Sequence, residues 1–80
     1  MTELIVLSRP GCHLCEQVVE EVEPLCRAAG ATLRVLDVDS RADWREAYGL
    51  RIPVLLGAGR ELAAWPVDLD RVARWLEGTG

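Results

Sequence analysis

Ser8-Arg9-Pro10-Gly11-Cys12-His13-Leu14-Cys15 joins a strand-like run to a helix-like one, and both cysteines sit at the joint. Before it, residues 3–8 (Glu-Leu-Ile-Val-Leu-Ser) form a nearly continuous apolar run, suited to a strand buried on both faces. Arg9-Pro10-Gly11 breaks that run. From Cys12 to about Ala29, residues Cys15, Val18, Val19, Val22, Leu25 and Cys26 recur at i, i+3, i+4 spacing and share one helix face. Gly30 is placed to end this helix. Pro24 lacks the N–H that would reach the Glu20 carbonyl, which predicts a kink or break there.

Working outward, residues 31–38 read as a second strand, and Asp39 or Ser40 as the cap of a short helix ending at Gly49. Ile52-Pro53-Val54-Leu55-Leu56 reads as a third strand, Gly57-Ala58-Gly59-Arg60 as a hairpin turn, and Glu61–Ala64 as a fourth strand. Asp68 is positioned to cap a last helix with Leu69, Val72, Trp75 and Leu76 on its buried stripe. The order β-α-β-α-β-β-α makes the first crossover parallel and right-handed and the last strand pair antiparallel. The expected fold is an α/β, mixed four-stranded sheet with helices on both faces, built from residues 1–80 as a single domain.

A core of this kind must be economical, because a chain of this size buries only roughly 60–65% of its unfolded surface. Half of the 80 residues are apolar, too many for a disordered chain. Phe is absent, so Leu, Val, Ile and Ala carry most of the interior. The formal charge is −4, with nine Arg and no Lys, and no basic stripe marks a nucleic-acid surface. Glu16, Glu20, Glu21 and Glu23 read as a solvated helix face. The apolar run Leu4–Leu7 is too short for a signal segment or a membrane span, so the expectation is a soluble, cytoplasmic monomer.

Three cysteines leave an odd one out, which argues against a secreted disulfide scaffold. A C-x-x-C pair that follows a strand and opens a helix points instead to redox chemistry. The thiolate is the form that attacks a disulfide, and a helix N-terminus favours it through unpaired N–H groups and about half a positive charge. Arg9, three residues earlier, is placed to add a full positive charge. Cys12 is thus the candidate nucleophile and Cys15, one turn further in, the candidate resolving thiol. His13 is open to two readings: a protonated ring that stabilises the thiolate, or a solvated side chain. Leu14 is the candidate apolar contact for a partner. Cys26 lies roughly 16 Å of helix rise beyond Cys15, too far for a disulfide, and reads as core. The same distance keeps Cys26 from joining Cys12, His13 and Cys15 around a zinc ion, so no metal site is expected.

These residues resemble the glutaredoxin family, and more closely its small bacterial glutaredoxin-like members. The match runs through Ser8–Cys15, then Tyr48-Gly49-Leu50-Arg51-Ile52-Pro53-Val54, then Arg60-Glu61-Leu62 through Trp65-Pro66 to Arg74-Trp75-Leu76, and so covers essentially the whole chain. It implies a thioredoxin-like fold and thiol–disulfide oxidoreductase activity on protein or glutathione mixed disulfides. It also implies a cis bond before Pro53, with the Ile52 backbone pairing to a bound peptide or glutathione; a trans proline on an edge strand is the alternative. Asp68 matches the family's acidic residue that contacts the glutathione amine, although a helix N-cap is sufficient by itself and the favoured reading. Two departures stand out. Trp65-Pro66 occupies the place of the family's Gly-Gly pair, which argues against the usual glutathione pose. His13-Leu14 replaces the commoner Pro-Tyr.

No bound cofactor is expected, and glutathione is a candidate co-substrate. Two other functions fit the same residues: an iron–sulfur cluster shared by two chains through Cys12, and a non-enzymatic adaptor of thioredoxin fold.

Overall fold

The computed structural model of the protein describes residues 2–79. Its elements are β1 (Glu3–Ser8), α1 (His13–Ala29), β2 (Thr32–Asp37), α2 (Ala42–Tyr48), β3 (Val54–Gly57), β4 (Arg60–Ala64) and α3 (Leu69–Thr79), with a short 3₁₀ turn over Val38–Ser40. The sheet runs β2-β1-β3-β4, an order the chain's local patterns do not contain. β1 pairs parallel with β2 and antiparallel with β3, and β3 pairs antiparallel with β4.

Alternation along the central strands splits the core into two layers. Leu4, Val6 and Leu55 pack against Val18, Val22 and Cys26 of α1 and Val72 and Leu76 of α3. On the other side, Leu7, Val54, Leu56 and Val38 meet Trp44 and Tyr48 of α2. β1 and β3 therefore read as continuous apolar runs, as strands covered on both faces do. Each buried Leu or Val contributes about 1.5–3 kcal/mol to holding these layers together.

Several local expectations change. α1 runs unbroken through Pro24, because the deprived Glu20 carbonyl lies on the exposed side while Val22 and Cys26 anchor the other. β2 stops at Asp37, whose Oδ1 accepts the Asp39 N–H at 2.8 Å and opens the 3₁₀ turn. Neither Asp39 nor Ser40 caps α2; Arg41 stands at its N-cap without a side-chain capping bond, its guanidinium bound instead to Asp43.

Ile52 and Pro53 precede β3 rather than begin it. Gly57 belongs to β3, not to the turn. A Cβ there would lie 2.6 Å from Trp75 Cζ2, so the indole of α3 requires glycine beneath it. The hairpin turn is Ala58-Gly59, both with positive φ (53° and 77°), which suits the twist of a two-residue connection.

Candidate active site

Arg9-Pro10-Gly11-Cys12 forms a tight turn, with the Cys12 N–H donating to the Arg9 carbonyl at 3.1 Å. Proline presets the second position of such a turn, and the third needs positive φ, which Gly11 supplies at 81°. The turn delivers Cys12 to the N-cap of α1 in extended conformation. There its Sγ accepts the Cys15 N–H at 3.2 Å. Cys12 and Cys15 are joined by a disulfide, their Cα atoms 5.3 Å apart. Cys12 remains partly exposed, whereas Cys15 is fully buried under the first turn. One sulfur faces solvent and the other faces the core.

Arg9 has an employment beyond the one expected. Its guanidinium binds Asp39 through both carboxylate oxygens (2.8 and 3.0 Å) and donates to the Gly49 carbonyl at 3.3 Å. The Arg9 bond, chiefly, holds the Asp39 carboxyl below its ordinary range. This cation ties the cysteine turn to the 3₁₀ turn and to the end of α2, with its charge largely answered by Asp39. Asp39 and Gly49 were missed as site-supporting residues because they lie 30 and 40 positions away in the chain.

The remaining candidates divide. His13 is solvated, with 93% of its side chain exposed and Nδ1 3.6 Å from Glu16. Leu14 is 42% exposed beside the cysteines. The Leu7–Val54 pairing, continued by one residue, sets Pro53 beside Ser8, at the sheet end from which the cysteine turn departs. The Ile52–Pro53 peptide is cis, and so is Trp65–Pro66. The Trp65 N–H donates to the Pro53 carbonyl at 3.1 Å, which fixes the two cis segments against each other. Ile52 takes no part in the backbone bonds that tie down this loop.

Leu50, fully exposed, and Trp65, 40% exposed, join Leu14 as apolar surface at this end. Leu50 was legible as an apolar residue between Gly49 and Arg51 with no periodic partner. Asp68 caps α3, accepting the N–H groups of Asp70 (3.0 Å) and Arg71 (3.3 Å). Cys26 is 2% exposed, and burial raises its thiol pKa.

The model of the Glutaredoxin-like domain family (DUF836) matches residues 3–77. The chain belongs to this family. Uncharacterized proteins of Mycobacterium tuberculosis and Mycobacterium bovis are 36% identical over 72 residues, covering 84% of this chain and 74% of theirs.

Among solved structures, an X. campestris structural-genomics target is 41% identical, with TM-score 0.71 over 94% of this chain and 96% of that one. A Nitrosomonas europaea protein solved by NMR is 29% identical, with TM-score 0.81 over 92% and 89%. A mutant thioredoxin from Halobacterium salinarum is 26% identical, with TM-score 0.66 over 96% and 73%. The fold of this glutaredoxin-like domain is thus thioredoxin-like, with a Cys12/Cys15 pair at the head of α1. No described helix is long and apolar enough to cross a membrane.

Proposed function

We propose that this glutaredoxin-like domain is a thiol–disulfide oxidoreductase acting through Cys12 and Cys15. The observation that carries the reading is the contrast within the pair: a partly exposed N-cap sulfur that accepts a backbone N–H, bonded to a buried one. In the reduced protein the Cys12 thiolate attacks one sulfur of a substrate disulfide, and the other substrate sulfur leaves as a thiolate. Cys15 loses its proton and attacks Cys12 Sγ, which expels the second substrate thiolate and closes the Cys12–Cys15 disulfide. Two electrons pass to the substrate, and an external thiol or dithiol must return them.

The first turn of α1 favours the attacking thiolate through its free N–H groups and dipole. Ile52, left out of the loop's own bonds, offers its backbone to an extended segment of the substrate. Leu14, Leu50 and Trp65 offer apolar contact, and Trp65-Pro66 narrows the space that glutathione would need. Disulfide-containing proteins are therefore favoured as substrates over glutathione mixed disulfides, in the reducing cytoplasm.

Insulin reduction and reduction of a glutathione mixed disulfide, each followed with wild type and Cys12→Ser, test the assignment. Loss of the nucleophile lowers the rate by at least about a thousandfold. Serine preserves an N-cap acceptor, so the fold survives the change. Equal rates in the two proteins, or none in either, reject the activity.

A further inference from the structure

β2 is an edge strand, and among the described residues no strand pairs with its outer edge. The Thr32 N–H donates inward to the Thr2 carbonyl at 2.9 Å. Alternation then turns the backbone groups of Leu33, Val35 and Asp37 outward, where an unpaired edge templates another strand. Val35, centred in the strand, is 49% exposed although its β1 partner Val6 is fully buried. α1 reaches this flank of the sheet at Leu33 but leaves Val35 half exposed.

This flank is a groove that begins at the cysteine turn. Three shallow cavities of about 280, 350 and 420 Å³ meet along it: Val35 lines all three, Glu16 the first two and Val19 the last two. The first also reaches Pro10 and Gly11, next to Cys12. The α1 wall carries Glu16, Glu20 and Glu23, and Asp37 lies at the strand's end. Of these, Glu23 is neutralised by Arg27, while among the described residues Glu16 has the loosely placed His13 as its ion-pair partner. Arg9, which lines the first cavity, is answered by Asp39. The groove is therefore an apolar floor under a net negative wall.

We propose that this groove binds a basic, extended segment of a partner protein, which adds to β2 as a fifth strand. Lysine or arginine at alternate positions fits both halves of the site: the aliphatic stem lies across Val35 and Val19, and the cationic head reaches Glu16 and Glu20. A second copy of this chain fits less well, because joining two β2 edges would bring two acidic walls together. The groove's opening at Pro10-Gly11 puts a docked partner within reach of the dithiol, although the binding itself does not depend on the redox reading.

The test uses a fluorescein-labelled heptapeptide alternating lysine with threonine or valine, a glutamate analogue, and a lysine version N-methylated at alternate amides. Anisotropy with the wild-type chain is expected to show saturable, salt-sensitive binding of the lysine peptide, weakened about tenfold or more by N-methylation or by replacing lysine with glutamate. The double variant Glu20→Lys, Val35→Lys is expected to reverse the charge preference. Amide NMR shifts should concentrate at Leu33, Val35 and Asp37.

Equal binding of the N-methylated peptide would reduce the effect to charge attraction and overturn strand addition. Absence of binding, unchanged preference in the double variant, or shifts confined to the cis-proline loops would also overturn it. So would a concentration-dependent dimer abolished by Val35→Lys, which would give the edge to a second copy. Insulin reduction by the same proteins, run in parallel, separates failure of the groove from failure of the dithiol assignment.

Discussion

At the start of α1, Cys12 caps the helix, stays partly exposed and binds a backbone N–H through its sulfur. Near the end of the same helix, Cys26 is 2% exposed between the sheet and α3 and carries a raised thiol pKa. Cys15 stands between these cases: it is buried on the same stripe as Cys26, yet it is bonded to Cys12. The residue type is constant while the chemistry changes. What differs is the distance from the helix N-terminus, where free N–H groups and dipole favour an anion, and the access that the Pro10-Gly11 turn leaves open. Fourteen residues beyond Cys12, at Cys26, neither condition holds.

Alkylation of the reduced protein should expose this contrast most strongly. Iodoacetamide at neutral pH is expected to label Cys12 about a thousandfold faster than Cys26, which should react only after denaturation. Peptide mass spectrometry assigns the sites, and comparable rates at the two positions would break the comparison. Substitution sharpens it from the other side. Cys26→Ser places an unpartnered hydroxyl in the core and should cost about 1–3 kcal/mol. That lowers the melting temperature by several degrees while insulin reduction by the folded protein keeps its wild-type rate. A loss of activity as large as that of Cys12→Ser would give Cys26 a redox role.

The two ends also differ in how the backbone is held. Gly30 closes α1 at φ 69°, and the Ala31 N–H returns to the Cys26 carbonyl at 2.8 Å. A Cβ at Gly30 would meet nothing within 4 Å, so Gly30→Ala tests backbone conformation without a clash. It should cost about 1–2 kcal/mol in chemical denaturation and leave the dithiol rate unchanged.

Much of this was legible locally. The apolar runs of β1 and β3, the stripe of α1, the Asp68 cap and the C-x-x-C at a strand-to-helix joint are patterns within a few residues of each other. What escaped depends on distant partners. Gly57 looks like a turn residue until the Trp75 ring lies on it. Asp39 looks like a helix cap until Arg9, 30 positions earlier, claims both its oxygens. Pro24 looks like a break until packing on the opposite face of α1 outweighs one missing hydrogen bond. Glu16 and Glu20 look like ordinary solvated positions until the edge of β2 comes to lie beside them. Strand order has the same origin, since register between β1 and β3 is written in contacts rather than in either strand alone.

The smallest expected effect concerns the pair that anchors the N-terminal end. The bidentate bond from Arg9 keeps Asp39 ionised below its ordinary range, so Asp39 releases its proton more readily in the folded chain than in the unfolded one. A depressed folded pKa stabilises the fold fully above the unfolded value of about 3.9. That contribution fades as pH falls through the lower folded value. Asp39→Asn removes the charge and should lower the melting temperature slightly near neutrality. The gap between variant and wild type should close as the pH is taken below the folded value. Thermal melts across the acid range read this directly. A gap of constant size from pH 7 to the acid limit would mean that Asp39 serves the turn through shape alone. In that case charge would matter at the head of α1 only at Cys12, and the asymmetry between the helix ends would rest on the sulfur rather than on the salt bridge behind it.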